Sequence, residues 1–100
     1  MKRSWVLMSE MLHIYIPIYN NASLASLTAE SLVKAGVNPS HIFLFDNSSI
    51  NELDILEMLS RRFSLTVNNE NLGYDGNIVR CISHCTARFA WIISAGDTVT

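Results

Sequence analysis

The sequence predicts an α/β fold, a mainly parallel sheet held between two layers of helices. Strand-like and helix-like segments alternate regularly along the chain, which is the pattern of successive strand–helix–strand units. The connections are short, as right-handed crossovers between parallel strands require. The run His41-Ile42-Phe43-Leu44-Phe45 is apolar nearly throughout, as a strand covered on both faces by helices should be.

The elements follow in order. Leu12 to Ile18 is β-branched and aromatic and reads as the first strand, with Pro17 marking its end. Asn20-Asn21 turn the chain. Leu24, Leu27, Leu32 and Val33 then recur at helical spacing up to Gly36, a C′ glycine with Pro39 just beyond. The second strand covers 41–45. Ser49-Ile50-Asn51-Glu52 has the spacing of a capping box, and Leu53, Leu56, Leu59 and Phe63 mark one helical face after it. Leu65-Thr66-Val67 is a short third strand, followed by the polar loop Asn68-Asn69-Glu70-Asn71. A third helix is expected from about Asp75 to Ala87, with Ile78, Cys81, Ile82 and Cys85 turned inward. Phe89 to Ile93 forms the fourth strand.

Composition narrows the function classes. Of the 100 residues, 49% are hydrophobic and 16% charged, which excludes a disordered chain. Seven Lys+Arg against nine Asp+Glu give a net charge of −2, without the basic footprint of a nucleic-acid binder. Lys2-Arg3 and Trp5-Val6-Leu7-Met8 begin like a signal peptide, but Glu10 interrupts them and no small-residue cleavage site follows. The apolar stretch from Met11 to Tyr19 falls far short of the ~20 residues that cross a bilayer. The chain therefore reads as cytoplasmic without a transmembrane segment, and a peripheral place at the inner face of the membrane is compatible with that. Residues 1–11 read as an N-terminal extension and 12–100 as the folded unit. Cys81 and Cys85 read as reduced thiols on one side of a helix; a metal site built from them with His84 is the minor alternative. His13, His41 and His84 show no convergent spacing and are read as structural or surface residues.

In parallel sheets ligands bind beyond the carboxyl ends of the strands, so the residues there carry the functional reading. They are Tyr19-Asn20, Asp46-Asn47-Ser48-Ser49, Asn71-Leu72-Gly73-Tyr74 and Ser94-Ala95-Gly96-Asp97. Asp46 can accept hydrogen bonds from a base N–H or a ribose hydroxyl, or form an Asx turn with Asn47 and Ser48. Tyr19 can stack on a base or serve as a core aromatic with its hydroxyl at the rim. Gly73 permits a close backbone approach or a positive φ. Arg80, one helical turn beyond Asn77, can face a phosphate or solvent.

Ile16-Pro17-Ile18-Tyr19-Asn20, Phe45-Asp46-Asn47-Ser48-Ser49, Asn71-Leu72-Gly73 with Asn77, and Trp91-Ile92-Ile93-Ser94-Ala95-Gly96-Asp97 resemble, in order and spacing, the successive signatures of family 2 glycosyltransferases. The resemblance covers about residues 12–100. It implies a Rossmann-like three-layer αβα architecture of the GT-A type, truncated to its first, nucleotide-sugar-binding half. It also implies a nucleoside-diphosphate-sugar donor held by Pro17, Tyr19, Asp46, Asn47, Ser48, Asn71, Gly73 and Asn77. Asp97 matches the last carboxylate of the family's metal motif, so a divalent cation, Mg or Mn, is expected there; Ala95 and Gly96 stand where a further carboxylate is usual. The implied reaction is inverting transfer to an acceptor hydroxyl, on a carbohydrate or a lipid-linked acceptor, with a general base outside this chain. Two further expectations concern the fragment itself: no turnover alone, and self-association through an exposed flank that includes part of Trp91-Ile92-Ile93 or of the helix carrying Cys81 and Cys85. The alternative is a non-catalytic nucleotide-binding or interaction module of the same fold. A receiver-like domain would need clustered acids after the first strand, where Asn20-Asn21 stand, and a dinucleotide-binding domain would need a GxGxxG there.

Overall fold

The computed structural model describes residues 11–99. Of the expected N-terminal extension only Met11 falls among them; residues 1–10, with the basic and apolar segments noted above, lie outside, as does Thr100.

Four parallel strands, β1 (Leu12–Ile18), β2 (Ile42–Asp46), β3 (Ser64–Val67) and β4 (Phe89–Ile92), lie in the order β3-β2-β1-β4. The helices α1 (Ala22–Lys34), α2 (Leu53–Ser60) and α3 (Gly73–His84) make the crossovers, and a 3₁₀ turn at Pro39–His41 leads into β2. The chain winds outward from β1 to β3, then α3 carries it back across the sheet to β4. The point where the winding reverses lies between β1 and β4, the switch point at which doubly wound sheets bind ligands.

Alternation along the strands separates two cores. Ile14, Ile16 and Ile18 of β1, with Ile42 and Leu44 of β2, face α1 and α2 and pack with Ala25, Ala29, Leu32, Leu56, Leu59 and Phe63. Tyr15 and Phe45 point to the other side, where they pack with Cys81 of α3 and the partly buried Phe43, Cys85 and Ile92.

Helix α1 ends as expected. Gly36 has φ +104, its N–H reaches the carbonyl of Val33, and the Val37 N–H reaches that of Leu32, both at 3.0 Å. This is the Schellman arrangement, with Val37 returning to the core. The expected helix faces need correction. In α1 the buried residues are Ala22, Ala25, Thr28, Ala29 and Leu32, while Leu24 and Leu27 are exposed. Small side chains let the helix sit close on the isoleucines of β1, which the larger leucines would prevent. Likewise Leu53 is exposed in α2, and Ile82 is exposed in α3. Helix α3 runs from Gly73 to His84 rather than from Asp75 to Ala87, because Gly73 already turns the chain at φ +76.

The capping box does not form. Glu52 sits in the left-handed region at φ +59, and its carboxylate accepts from the Ser23 N–H in the first turn of α1 at 3.2 Å. Ser49 turns back instead, donating its hydroxyl to the Asp46 carboxylate, which also accepts the Ser49 N–H at 2.9 Å.

Candidate functional site

A cleft of about 380 Å³ opens at the carboxyl ends of β1 and β4, on the α3 side of the sheet. Pro17 and Tyr19 form its wall on β1, and Asn21 follows them. Gly73, Tyr74 and Asn77 of α3 form the opposite wall, while Ser94 and Ala95 close the β4 side. Asn47 and Asn71 also line it, and among the described residues no Asp, Glu, Lys, Arg or His does.

Four asparagines hold the α3 wall in place. Asn47, 3% exposed, uses its whole amide: Nδ2 donates to Asn71 Oδ1 at 2.9 Å and to the Gly73 carbonyl at 3.0 Å. Its Oδ1 accepts from Leu72 N–H at 2.8 Å and Asn68 Nδ2 at 3.1 Å. Asn68 also donates to Asn77 Oδ1 at 2.9 Å, and Asn77 Nδ2 donates to the Phe45 carbonyl at 2.9 Å. Asn71 Oδ1 accepts the Gly73 N–H at 2.8 Å, closing the Asx turn that delivers Gly73 at its positive φ. Amides suit this task because each offers donors and an acceptor without the cost of burying charge.

The first two loops of the rim are tied together as well. Asn20, at φ +54, accepts from the Ile50 and Asn51 N–H groups at 2.9 and 3.0 Å, and its own N–H reaches Ser49 Oγ at 2.8 Å. The Asn21 side chain accepts the Tyr19 N–H at 2.9 Å, which fixes the backbone beneath the exposed Tyr19 ring. The segment after β4 is anchored to α1: Gly96 N–H donates to Thr28 Oγ at 2.8 Å and Val99 N–H to Ser31 Oγ at 3.1 Å. Gly96 has φ +104 and an added Cβ would make only ordinary contact with Leu24, so backbone conformation rather than crowding selects glycine there.

The structure brings six of the expected donor-binding residues to the cleft: Pro17, Tyr19, Asn47, Asn71, Gly73 and Asn77. Asp46 and Ser48 do not line it. Asp46 is buried, its carboxylate engaged by Ser49, and Ser48 occupies the left-handed corner of the same turn at φ +66. Arg80 points elsewhere, to two small cavities on the far side of α3. Asp97 is exposed, in a turn closed by its N–H to the Ser94 carbonyl at 3.1 Å. Among the described residues no three His, Cys, Asp or Glu side chains converge as metal ligands. Burial pushes the Cys81 thiol up to about 11, so at neutral pH it is a protonated core residue rather than a thiolate. Tyr74, placed on the rim by the sequence, lines the cleft, whereas Asn68 and Asn21 were not expected in or behind the site. The signal for Asn68 was its place directly after β3, level with the chain that follows β2.

No described helix is long and apolar enough to cross a membrane. Comparison with curated proteins and with solved structures finds no match in either. The family model for glycosyl transferase family 2 matches residues 13–100, which takes in all four strands save Leu12 and every residue of the cleft. With its parallel sheet, its winding order and its cleft at the switch point, the chain belongs to glycosyl transferase family 2.

Proposed function

We propose that this chain binds the nucleotide part of a nucleoside-diphosphate sugar and forms the donor half of an inverting glycosyltransferase. The observation that carries the reading is the neutral, amide-walled cleft at the switch point, with Tyr19 on one side. A nucleoside is an uncharged, planar and hydroxyl-bearing group. Asparagine amides and backbone groups can hydrogen-bond its edges, and a tyrosine ring can stack on its face. Asp46 supports this arrangement from beneath, by fixing the turn after β2 with Ser49.

The diphosphate would extend past Ser94 and Ala95 towards Asp97. A divalent cation, Mg or Mn, fits the residues present only as a partner of that diphosphate. Asp97 is the single carboxylate offered after β4, and the remaining oxygen ligands would come from phosphate and water. Such a cation supplies charge neutralisation for the leaving nucleoside diphosphate. The chain's own residues bind and orient the donor. The acceptor, a carbohydrate or lipid-linked hydroxyl, and the general base that activates it belong to a second half of the domain.

The sparse carboxylate set favours one second reading, a nucleotide-binding module without turnover. Calorimetric titration with UDP, GDP and dTDP, with and without Mn²⁺, separates these readings. Binding of at least one nucleotide is expected, with the metal increment lost in Asp97→Asn. No binding by any of the three would reject both readings; binding without a metal increment would remove Asp97 and the cation.

A further inference from the structure

Three histidines far apart in sequence meet on the α3 side of the sheet, at the amino ends of the strands and away from the cleft. His13 of β1 lies 4.8 Å from the Phe43 ring and 5.8 Å from the His41 ring, centroid to centroid. His84, in the last turn of α3, lies 5.2 Å from the same Phe43 ring. The hydroxyl of the fully buried Tyr15 meets His84 Nδ1 at 3.1 Å. The Nδ1 atoms of His13 and His41 are buried without a hydrogen-bond partner among the described residues. This is an aromatic contact, and it holds the C-terminal end of α3 on the sheet.

We propose that His13, His41 and His84 form a proton-sensitive clasp: neutral, they pack α3 against Phe43 and Tyr15, and protonated together they repel and loosen that helix. The consequence reaches the cleft because the other end of α3 supplies Gly73, Tyr74 and Asn77 to it.

Among the described residues the charges that face the clasp have one sign. The turn before β2 offers His41, and α3 offers His84 with Arg80 one turn before it; the two share a small cavity with Thr66 of β3. Arg88 stands just before β4 at the same ends of the strands, Asp75 lies in the first turn of α3 at the opposite end of that helix, and Tyr15, Cys81 and Cys85 are the other titratable groups packed on this side. Burial and the raising effect of its thiol neighbours keep Tyr15 protonated, and Cys81 is a thiol. Strands β3 and β4 bring no ionisable side chain. The carboxylate of β2, Asp46, pairs in register with Ile18 and so lies on the opposite face. Among the described residues nothing negative therefore faces the clasp to compensate protonation.

The pKa of His13 is lowered, first by burial and then by His41 and His84. A base that binds its proton less tightly in the folded chain stabilises folding above its unfolded pKa of about 6.5. That stability is lost as pH falls through the lower folded value.

Amide hydrogen exchange of the whole chain at pH 7.5 and pH 5.5, expressed as protection factors, tests the clasp without any ligand. Protection in α3 should fall between the two pH values while protection in α1 holds. The expected fall is about tenfold for each pKa unit by which folding disfavours the proton. His13→Gln and His13→Phe should each shrink the difference, the second while keeping an aromatic ring beside Phe43. Parallel loss in α1 and α3, or an undiminished fall in His13→Phe, would overturn the proposal.

Discussion

The two faces of the sheet are built on different terms. Under α1 and α2 the packing is aliphatic: Ile16, Leu32, Ile42 and Leu44 are wholly buried and three alanines bring α1 close. Under α3 the residues are aromatic and sulfur-bearing. Tyr15, Phe45, Cys81 and the amide of Asn77 are enclosed there, Phe43, Cys85, His13 and His41 are partly wet, and His84 is exposed. A single helix crosses that face where two cover the other. The stable face fixes the fold, while the lightly covered face carries the cleft at one end and the titratable contact at the other. Regions of lower local stability are where binding sites and moving parts are commonly found.

The largest expected effect sharpens this contrast directly. Ile16→Ala removes buried aliphatic volume from a close-packed core and should cost about 2–5 kcal/mol, read from urea unfolding. Phe43→Ala deletes a larger but partly exposed side chain and should cost less. Equal losses would erase the distinction between the faces. Next comes the asparagine network. Asn77→Ala leaves the Phe45 carbonyl and an Asn68 donor without their partner in a buried setting. It should destabilise by about 1–3 kcal/mol. In the same variant nucleotide binding should weaken, because the α3 wall loses its tie to β2. The smallest effect lies on the surface of the aliphatic side, where Arg62 pairs with Glu30 across α1 and the turn after α2. Glu30→Gln should change stability by at most about 1 kcal/mol, and the difference should fade at high salt.

Strand β4 adds a third region to the comparison. Ile93, just after it, is buried, while Phe89 and Trp91 are 53% and 41% exposed on an edge strand. Residues of this kind on an open edge favour association. Light scattering on the wild type and on Trp91→Lys should show self-association reduced in the variant.

Much of the architecture was legible because period-two alternation and turn residues are local. Leu12–Ile18 and the Gly36 stop emerge from neighbouring residues alone. The face of α1 was not legible: hydrophobic spacing selects Leu24 and Leu27, whereas the distance between helix and sheet selects Ala25 and Ala29. The Ser49–Glu52 spacing suggested a local cap, but tertiary partners claimed both side chains, Ser49 for Asp46 and Glu52 for Ser23. In the site, the residues on strand ends could be placed from topology. The histidine group could not, since only sheet register brings positions 13, 41 and 84 together.

The central claim is that the asparagine-walled cleft at the switch point is the nucleotide site. Backbone amide shifts recorded by NMR during titration with UDP, GDP and dTDP test it most directly. The account predicts that one of these nucleotides moves the signals of Tyr19, Asn47, Asn71 to Asn77 and Ser94, and leaves those of α2 in place. Shifts confined to the opposite rim, around His13 and His41, or no shifts with any of the three, would contradict it.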